Sequence, residues 1–165
     1  GQGLAVTPVQ MITAVSAVAN GGRRMRPHVV VRRSNADGGV AVYQPVVEEQ
    51  VISPETAKTL TDILVRVIDE DVPQAGVEGY RMAGKTGTAQ IPVPGGYDKE
   101  GTIASFVGYG PVPDPQFVIL VKLDRPKTSQ WGSRTAALSF QRLASRLVVL
   151  FGIPPQQDEL TEAVQ

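Results

Sequence analysis

Apolar residues recur at helical spacing in three stretches of the chain and at strand-like spacing between the second and the third. Met11, Ile12, Val15, Val18 and Ala19 fall on one side of a repeat of about 3.6 residues. Thr7-Pro8-Val9-Gln10 before them reads as a helix start. A Thr N-cap, a Pro at the first helical position and a Gln at the third answer backbone N–H groups that lack partners inside the helix. Asn20-Gly21-Gly22 stops it, because Gly takes a left-handed cap without a Cβ penalty. A second helix opens at Ser53-Pro54-Glu55 and carries Leu60, Ile63, Leu64, Val67 and Ile68 on one face. Asp69-Glu70-Asp71 follows. Carboxylates at the negative end of a helix dipole oppose its continuation, and consecutive side chains do not converge on a metal, so the triplet reads as a solvated helix exit. A third helix opens at Ser133, carries Ala136, Ala137, Phe140, Leu143, Ala144, Leu147, Val148 and Phe151, and is ended by Gly152 and Pro154.

Residues 28–31 and 40–43, separated by Asn35, Asp37, Gly38 and Gly39, are predicted to form a β-hairpin. Residues 80–90, 102–109 and 117–124 are three β-favouring runs. Their connections hold Pro92, Pro94, Gly95, Gly96 and Tyr97, then Pro111, Pro113, Asp114 and Pro115. Connections this short imply antiparallel neighbours. The order helix, hairpin, helix, three strands, helix predicts an α+β fold, an antiparallel sheet packed with helices, rather than an alternating βαβ array. Residues 156–165 are polar and read as a frayed tail.

The 165 residues carry 16 basic and 16 acidic side chains, so nothing in the charge balance points to nucleic acid or to an acidic lipid surface. Zero Cys and one His exclude a disulfide scaffold, a thiolate or histidine metal centre and a Cys nucleophile; no cofactor is expected. His28, at a strand start with no second His, Cys or paired Ser near it in sequence, reads as structural. Trp131 reads as packing area in a turn, because aromatic residues mostly supply that.

The most informative stretch is Gly79-Tyr80-Arg81-Met82-Ala83-Gly84-Lys85-Thr86-Gly87-Thr88-Ala89-Gln90, which fits two unrelated patterns. Gly79, Gly84, Lys85 and Thr86 satisfy a phosphate-cradling loop, and the run ending at Asp124 imitates a magnesium-binding strand. That loop works only between a buried strand and a helix N-terminus. Asp71-Val72-Pro73 stands before it and Gly87, Pro92 and Pro94 after it, so neither element is expected. Alternatively, Lys85-Thr86-Gly87-Thr88 is the Lys-Thr-Gly element of serine acyl transferases that act on peptides or β-lactams. In an extended strand Thr86, Thr88 and Gln90 share one face, and Lys85, Gly87 and Ala89 the other. Two hydroxyls in line bind a carboxylate, Lys85 adds positive potential, Gly87 leaves room for a ligand backbone, and an exposed edge admits a peptide as an added strand.

With that element in place, residues 1–155 resemble the C-terminal half of the transpeptidase domain of class B penicillin-binding proteins. Gly1-Gln2-Gly3 with Thr7-Pro8-Val9-Gln10-Met11, Pro27-His28-Val29-Val30, Ala83-Gly84-Lys85-Thr86-Gly87-Thr88-Ala89-Gln90, Ala104-Ser105-Phe106-Val107-Gly108-Tyr109-Gly110-Pro111 and Leu123-Asp124-Arg125-Pro126-Lys127 carry the likeness. The resemblance implies a β-lactamase/transpeptidase-like fold whose five-stranded antiparallel sheet and helical region hold the catalytic serine between them. It implies that Lys85 belongs to the active site and that Thr86 and Thr88 bind the carboxylate of a D-Ala-D-Ala stem peptide or a β-lactam. The backbone N–H of Thr88 would form half of an oxyanion hole, a kind of donor worth roughly 3–4 kcal/mol. It further implies a parent on the extracytoplasmic face of the bacterial membrane, held by an N-terminal anchor that this sequence does not contain.

Family catalysis needs Ser-x-x-Lys and Ser-x-Asn. None of the eight serines, Ser16, Ser34, Ser53, Ser105, Ser129, Ser133, Ser139 and Ser145, has Lys three residues later or Asn two later. The chain therefore reads as one wall of an active site without its nucleophile, from a longer parent that was cleaved or truncated. Its partner would be the missing N-terminal half or a second copy. A non-catalytic peptidoglycan-binding or scaffold protein of the same fold is the alternative, and a β-lactamase-like hydrolase a variant of the first reading. The chain alone is expected to form no covalent adduct with penicillin; intact-mass spectrometry checks this, and a stable adduct on any of those serines contradicts it.

Overall fold

The computed structural model describes residues 3–156, the side chains of Lys99 and Glu100 excepted. Gly1 and Gln2 of the amino-terminal motif, and 157–165 of the predicted tail, lie outside the described residues. Helix α1 (Pro8–Ala19) begins where its cap predicts. The Thr7 hydroxyl oxygen accepts from the Gln10 N–H at 3.2 Å and the Gln10 side-chain oxygen accepts from the Thr7 N–H at 2.8 Å. It ends at Asn20, followed by two left-handed glycines.

Four short strands come next: β1 (Arg23–Met25), β2 (Arg32–Ser34), β3 (Val40–Val42) and β4 (Val47–Gln50). They form two antiparallel ribbons, β1 with β4 and β2 with β3. The first arm of the predicted hairpin is therefore displaced, from 28–31 to Arg32–Ser34. The Asn35 turn decides this: Asn35 N–H donates to the Gly39 carbonyl at 3.0 Å and the Asn35 side chain accepts from the Gly39 N–H at 2.6 Å. Closure there pairs Ser34 with Val40 and Arg32 with Val42, and leaves Val29, Val30 and Val31 beyond the ladder and exposed. The β1–β4 ribbon escapes a hydrophobic reading because charge aligns it. Arg24 reaches Glu49 at 3.2 Å and Glu48 at 3.5 Å, and Arg26 reaches Glu48 at 3.1 Å.

Helix α2 (Pro54–Arg66) is capped by Ser53, whose hydroxyl accepts from the Thr56 N–H at 3.1 Å. It runs on as a π-helical turn, Val67–Asp71, so the acidic triplet sits on this wider turn rather than past the end of the helix. Glu70 pairs with Arg66 at 2.9 Å, and that hydrogen bond and charge hold its carboxyl below the ordinary range.

Strands β5 (Ala83–Val93), β6 (Gly96–Gly110) and β7 (Phe117–Asp124) form one antiparallel sheet in the order β5-β6-β7. The described residues thus supply three of the five strands that the family likeness implies, and β5 and β7 are its edges. Helix α3 (Ala136–Leu150) packs on one face, with the Phe106 and Phe140 rings 4.7 Å apart and both side chains fully buried. Ile68, Val72, Met82, Ala144 and Val148 are buried in the same core. A second cluster, Val65, Ala83, Tyr109 and Val112, takes Val15 and Val18 of α1 against it. Past α3, Gln156 donates its N–H to the Gly79 carbonyl at 2.8 Å and accepts from the Arg81 N–H at 2.6 Å, so this first residue of the predicted tail is tied to the body. No helix among the described residues is long and apolar enough to cross a membrane.

The buried Tyr109 hydroxyl lies 2.8 Å from the Thr61 hydroxyl of α2 and joins that helix to the sheet. Burial pushes its phenol above the ordinary value; the Thr61 hydrogen bond opposes the shift and Asp62 adds to it. A phenol with a raised folded pKa is neutral in both states below about pH 10, and above that the unfolded state ionises first, so stability falls. Tyr109→Phe is expected to cost about 1 kcal/mol at neutral pH and to flatten the alkaline decline, both read by urea denaturation between pH 7 and 11.

Candidate active site

The root of β5 is buried, with Ala83 against Tyr109 and Gly84 beside Phe106, and from Lys85 the strand emerges. Lys85, Thr88 and Gln90 are exposed, and Thr86, Gly87 and Ala89 half-buried. The register pairs Lys85 with Val107, Thr86 with Phe106, Gly87 with Ser105, Thr88 with Ala104 and Gln90 with Thr102. Strand alternation therefore sets Thr86, Thr88 and Gln90 on the face covered by α3, and Lys85, Gly87 and Ala89 on the opposite face with Ser105 and, across β6, Leu120 and Lys122. On its outer side β5 has no strand neighbour among the described residues, so alternate backbone N–H and C=O groups face outward there.

A groove of about 570 Å³ runs along this edge and is lined by all six residues from Lys85 to Gln90. Its far wall is the extended segment Leu4, Ala5 and Val6 with Met11 of α1, and its floor includes Ser105, Val107, Leu120 and Lys122. The lining is mostly apolar carbon, and Lys85 makes no ion pair with any described residue. Its ammonium is therefore available to an anionic ligand. Gly87 keeps the middle of the strand open: a Cβ there would collide with the Ser105 hydroxyl. A larger cavity of about 850 Å³, between α1, α2 and the Val112-Pro113 loop, takes in Gly79, Tyr80 and Arg81 from the start of the 79–90 stretch but none of the residues from Lys85 to Gln90.

The phosphate-loop alternative is excluded by the geometry. Gly84 lies inside a β-strand, no helix follows Thr86, and the strand turns back into β6 as a hairpin. Asp124 is engaged with Arg125 at 3.3 Å. No group of three or more His, Asp or Glu side chains among the described residues is placed to hold a metal ion. His28 is exposed, with a ring nitrogen 3.4 Å from the Arg26 carbonyl, and is absent from the groove.

In the loop after β7 the sequence does not announce the part that Gly132 plays. Gly132 N–H donates to the Thr88 hydroxyl oxygen at 3.2 Å, and a Cβ on Gly132 would sit 2.7 Å from the Gly87 carbonyl oxygen and closer still to that of Ser105. Only glycine comes so near the sheet backbone. Nothing in the sequence separates this glycine from an ordinary turn residue. Trp131, read as packing area, instead stands 59% exposed, because the 3-10 turn Gly132–Arg134 and the Thr135 hydroxyl bonded to the Trp131 carbonyl at 2.8 Å hold its backbone, not its ring.

An edge strand bearing Lys-Thr-Gly-Thr over an apolar groove, on an antiparallel sheet backed by a long helix, is what the likeness to penicillin-binding transpeptidase domains leads one to expect. Residues 1–145 match the model of the penicillin-binding protein transpeptidase domain, and the chain belongs to that family, within its class B members. It is 37% identical to stage V sporulation protein D of Bacillus subtilis over 100% of its own length and 26% of the relative's. It is 38% identical to penicillin-binding protein PbpB of Mycolicibacterium smegmatis over 96% of the chain and 26% of that protein. Among solved structures, penicillin-binding protein 3 of Mycobacterium tuberculosis complexed with ampicillin superposes with a TM-score of 0.87 at 33% identity, covering 96% of this chain and 38% of that one. The transpeptidase domain of penicillin-binding protein 3 from Burkholderia pseudomallei gives 0.80 at 33% identity, covering 96% and 46%. The chain thus spans about a quarter of the length of these sequence relatives.

Gly132→Ala is expected to destabilise the protein by about 1–3 kcal/mol, since the new methyl meets rigid backbone. Gly87→Ala should cost less, because a rotation of the Ser105 hydroxyl makes room. Urea denaturation of both variants checks the order, and an unperturbed Gly132→Ala contradicts the close approach.

Proposed function

We propose that this chain is the substrate-binding wall of a serine D,D-transpeptidase that cross-links peptidoglycan stem peptides and is acylated by β-lactams. The carrying observation is the Lys85-Thr86-Gly87-Thr88 edge strand along an open groove, with the Lys85 ammonium in no ion pair with any described residue. In this reading the Thr86 and Thr88 hydroxyls receive the carboxylate of D-Ala-D-Ala or of a β-lactam, and the Lys85 ammonium supplies the charge that draws it in. Gln90 extends the contact along the peptide, which lies on β5 as an added strand. The Thr88 N–H is one donor to the tetrahedral oxyanion. The nucleophile comes from elsewhere: no serine here stands in Ser-x-x-Lys or Ser-x-Asn, and the chain matches 46% of a solved transpeptidase domain.

Residues 1–155 are then the C-terminal part of the domain, and the remaining strands of the sheet and the serine belong to an N-terminal half that shares the groove, with self-association as the other way to cover it. The whole protein works on the extracytoplasmic face of the bacterial membrane through an anchor outside this sequence, in division or elongation of the cell wall, as relatives with penicillin-binding and transpeptidase names support.

The test is labelling of the full-length protein with fluorescent penicillin. Wild type is expected to label, and Lys85→Ala to label roughly 100-fold more slowly or worse, the scale of losing an electrostatic contact to developing charge. An unlabelled wild type, or a Lys85→Ala variant that labels at the normal rate, contradicts the proposal.

A further inference from the structure

The loop between β7 and α3 is bound to the sheet at three points. Arg125 N–H donates to the Thr102 carbonyl at 2.9 Å, the Thr102 hydroxyl donates to the Gln130 carbonyl at 3.1 Å, and Gly132 N–H donates to the Thr88 hydroxyl oxygen at 3.2 Å. The loop starts from strained backbone. Arg125 has φ of 46°, a left-handed conformation that a non-glycine residue keeps only when its surroundings hold it, and its guanidinium reaches Asp98 of β6 at 3.3 Å.

Thr102 is the hinge of this arrangement. It is 9% exposed, on the same strand face as the fully buried Ala104 and Phe106, and directly opposite Gln90. A hydroxyl at so buried a position is stable only with a partner, and its partner is the Gln130 carbonyl, two residues before Gly132. Gly132 then acts on Thr88. A hydroxyl has one proton to give and lone pairs to fill. Gly132 N–H takes an acceptor position on the Thr88 oxygen, and no described residue accepts the Thr88 proton. The proton is thereby left to point away from the loop, toward the open edge of β5, where Thr88 is exposed.

We propose that Thr102 is a positioning residue for anion binding: through Gln130 and Gly132 it presets the Thr88 hydroxyl as a donor to the ligand carboxylate. This deepens the preceding reading and rests on it. Thr102 is not among the residues that line the groove, so its effect on the ligand is indirect, through Thr88.

The experiment is stopped-flow acylation of the full-length protein by a labelled penicillin, with Thr102→Val made in the wild-type and in the Thr88→Val backgrounds. In the wild-type background, Thr102→Val is expected to weaken penicillin binding about tenfold, the scale of one hydrogen bond to a charged group, with little change in the acylation step from the bound state. Thr102→Ser restores binding. In the Thr88→Val background, Thr102→Val adds no further loss, which a merely structural role would not produce. If Thr102→Val does not accumulate, Thr102→Ala, which also removes the hydroxyl, is read in the same two backgrounds. A labelled wild type with normal binding in Thr102→Val, or an equal loss in both backgrounds, overturns the inference alone. A wild type that penicillin does not label overturns the reading of the site and the inference with it.

Discussion

The register between β5 and β6 is the constraint on which the site depends. Gly87 faces Ser105 across the ladder, and every neighbouring pair follows from that match. Because side chains alternate with a period of two, a slip by one residue would send Lys85 to the face that α3 covers and bring Thr86 and Thr88 off it. Packing enforces the register on one face only. Phe106 fills the space between Gly84 and Phe140, so the strand cannot shift without driving an aromatic ring out of the core.

The same sheet divides its labour along its length. Near Ala83, Tyr109 and Val112 it is a floor for α1 and α2, closed on both faces by apolar contact. Further along, the face opposite α3 opens into the groove, where glycine and small side chains leave room for a ligand. Burial at one end holds the strand rigid, and that rigidity makes the exposed end useful as a wall: donors fixed in advance need no reorganisation when charge arrives. The loop carrying Gly132 adds a support from the α3 side, and its bonds to Thr88 and Thr102 connect the tip of the hairpin to the helix that carries the core.

Much of this was legible in the sequence for local reasons. Thr7-Pro8 and Ser53-Pro54 are caps whose chemistry is complete within four residues, and the structure uses both. The Lys85-Thr86-Gly87-Thr88 strand was readable because its alternation and its following Pro and Gly residues forbid a helix. What escaped depends on partners remote in sequence. The β1–β4 ribbon is held by Arg24 and Glu49, without an apolar pattern to announce it. The hairpin arm shifted because the Asn35 turn, not the valine run, chose the paired residues. Gly132 looked like any turn glycine, since its reason lies in the backbone of Gly87 and Ser105. Trp131 was misjudged because a residue's average habit says nothing about a backbone pinned on both sides of its ring.

The account turns on the groove-facing edge of β5 receiving an anionic acyl donor. The most direct test is a crystal structure of the full-length protein acylated by a penicillin. The account predicts the ligand carboxylate within hydrogen-bonding distance of the Thr86 and Thr88 hydroxyls, the acyl oxygen on the Thr88 N–H, and the ester on a serine outside these residues. A ligand bound in the cavity between α1 and α2, or an ester on any serine of this chain, would contradict it.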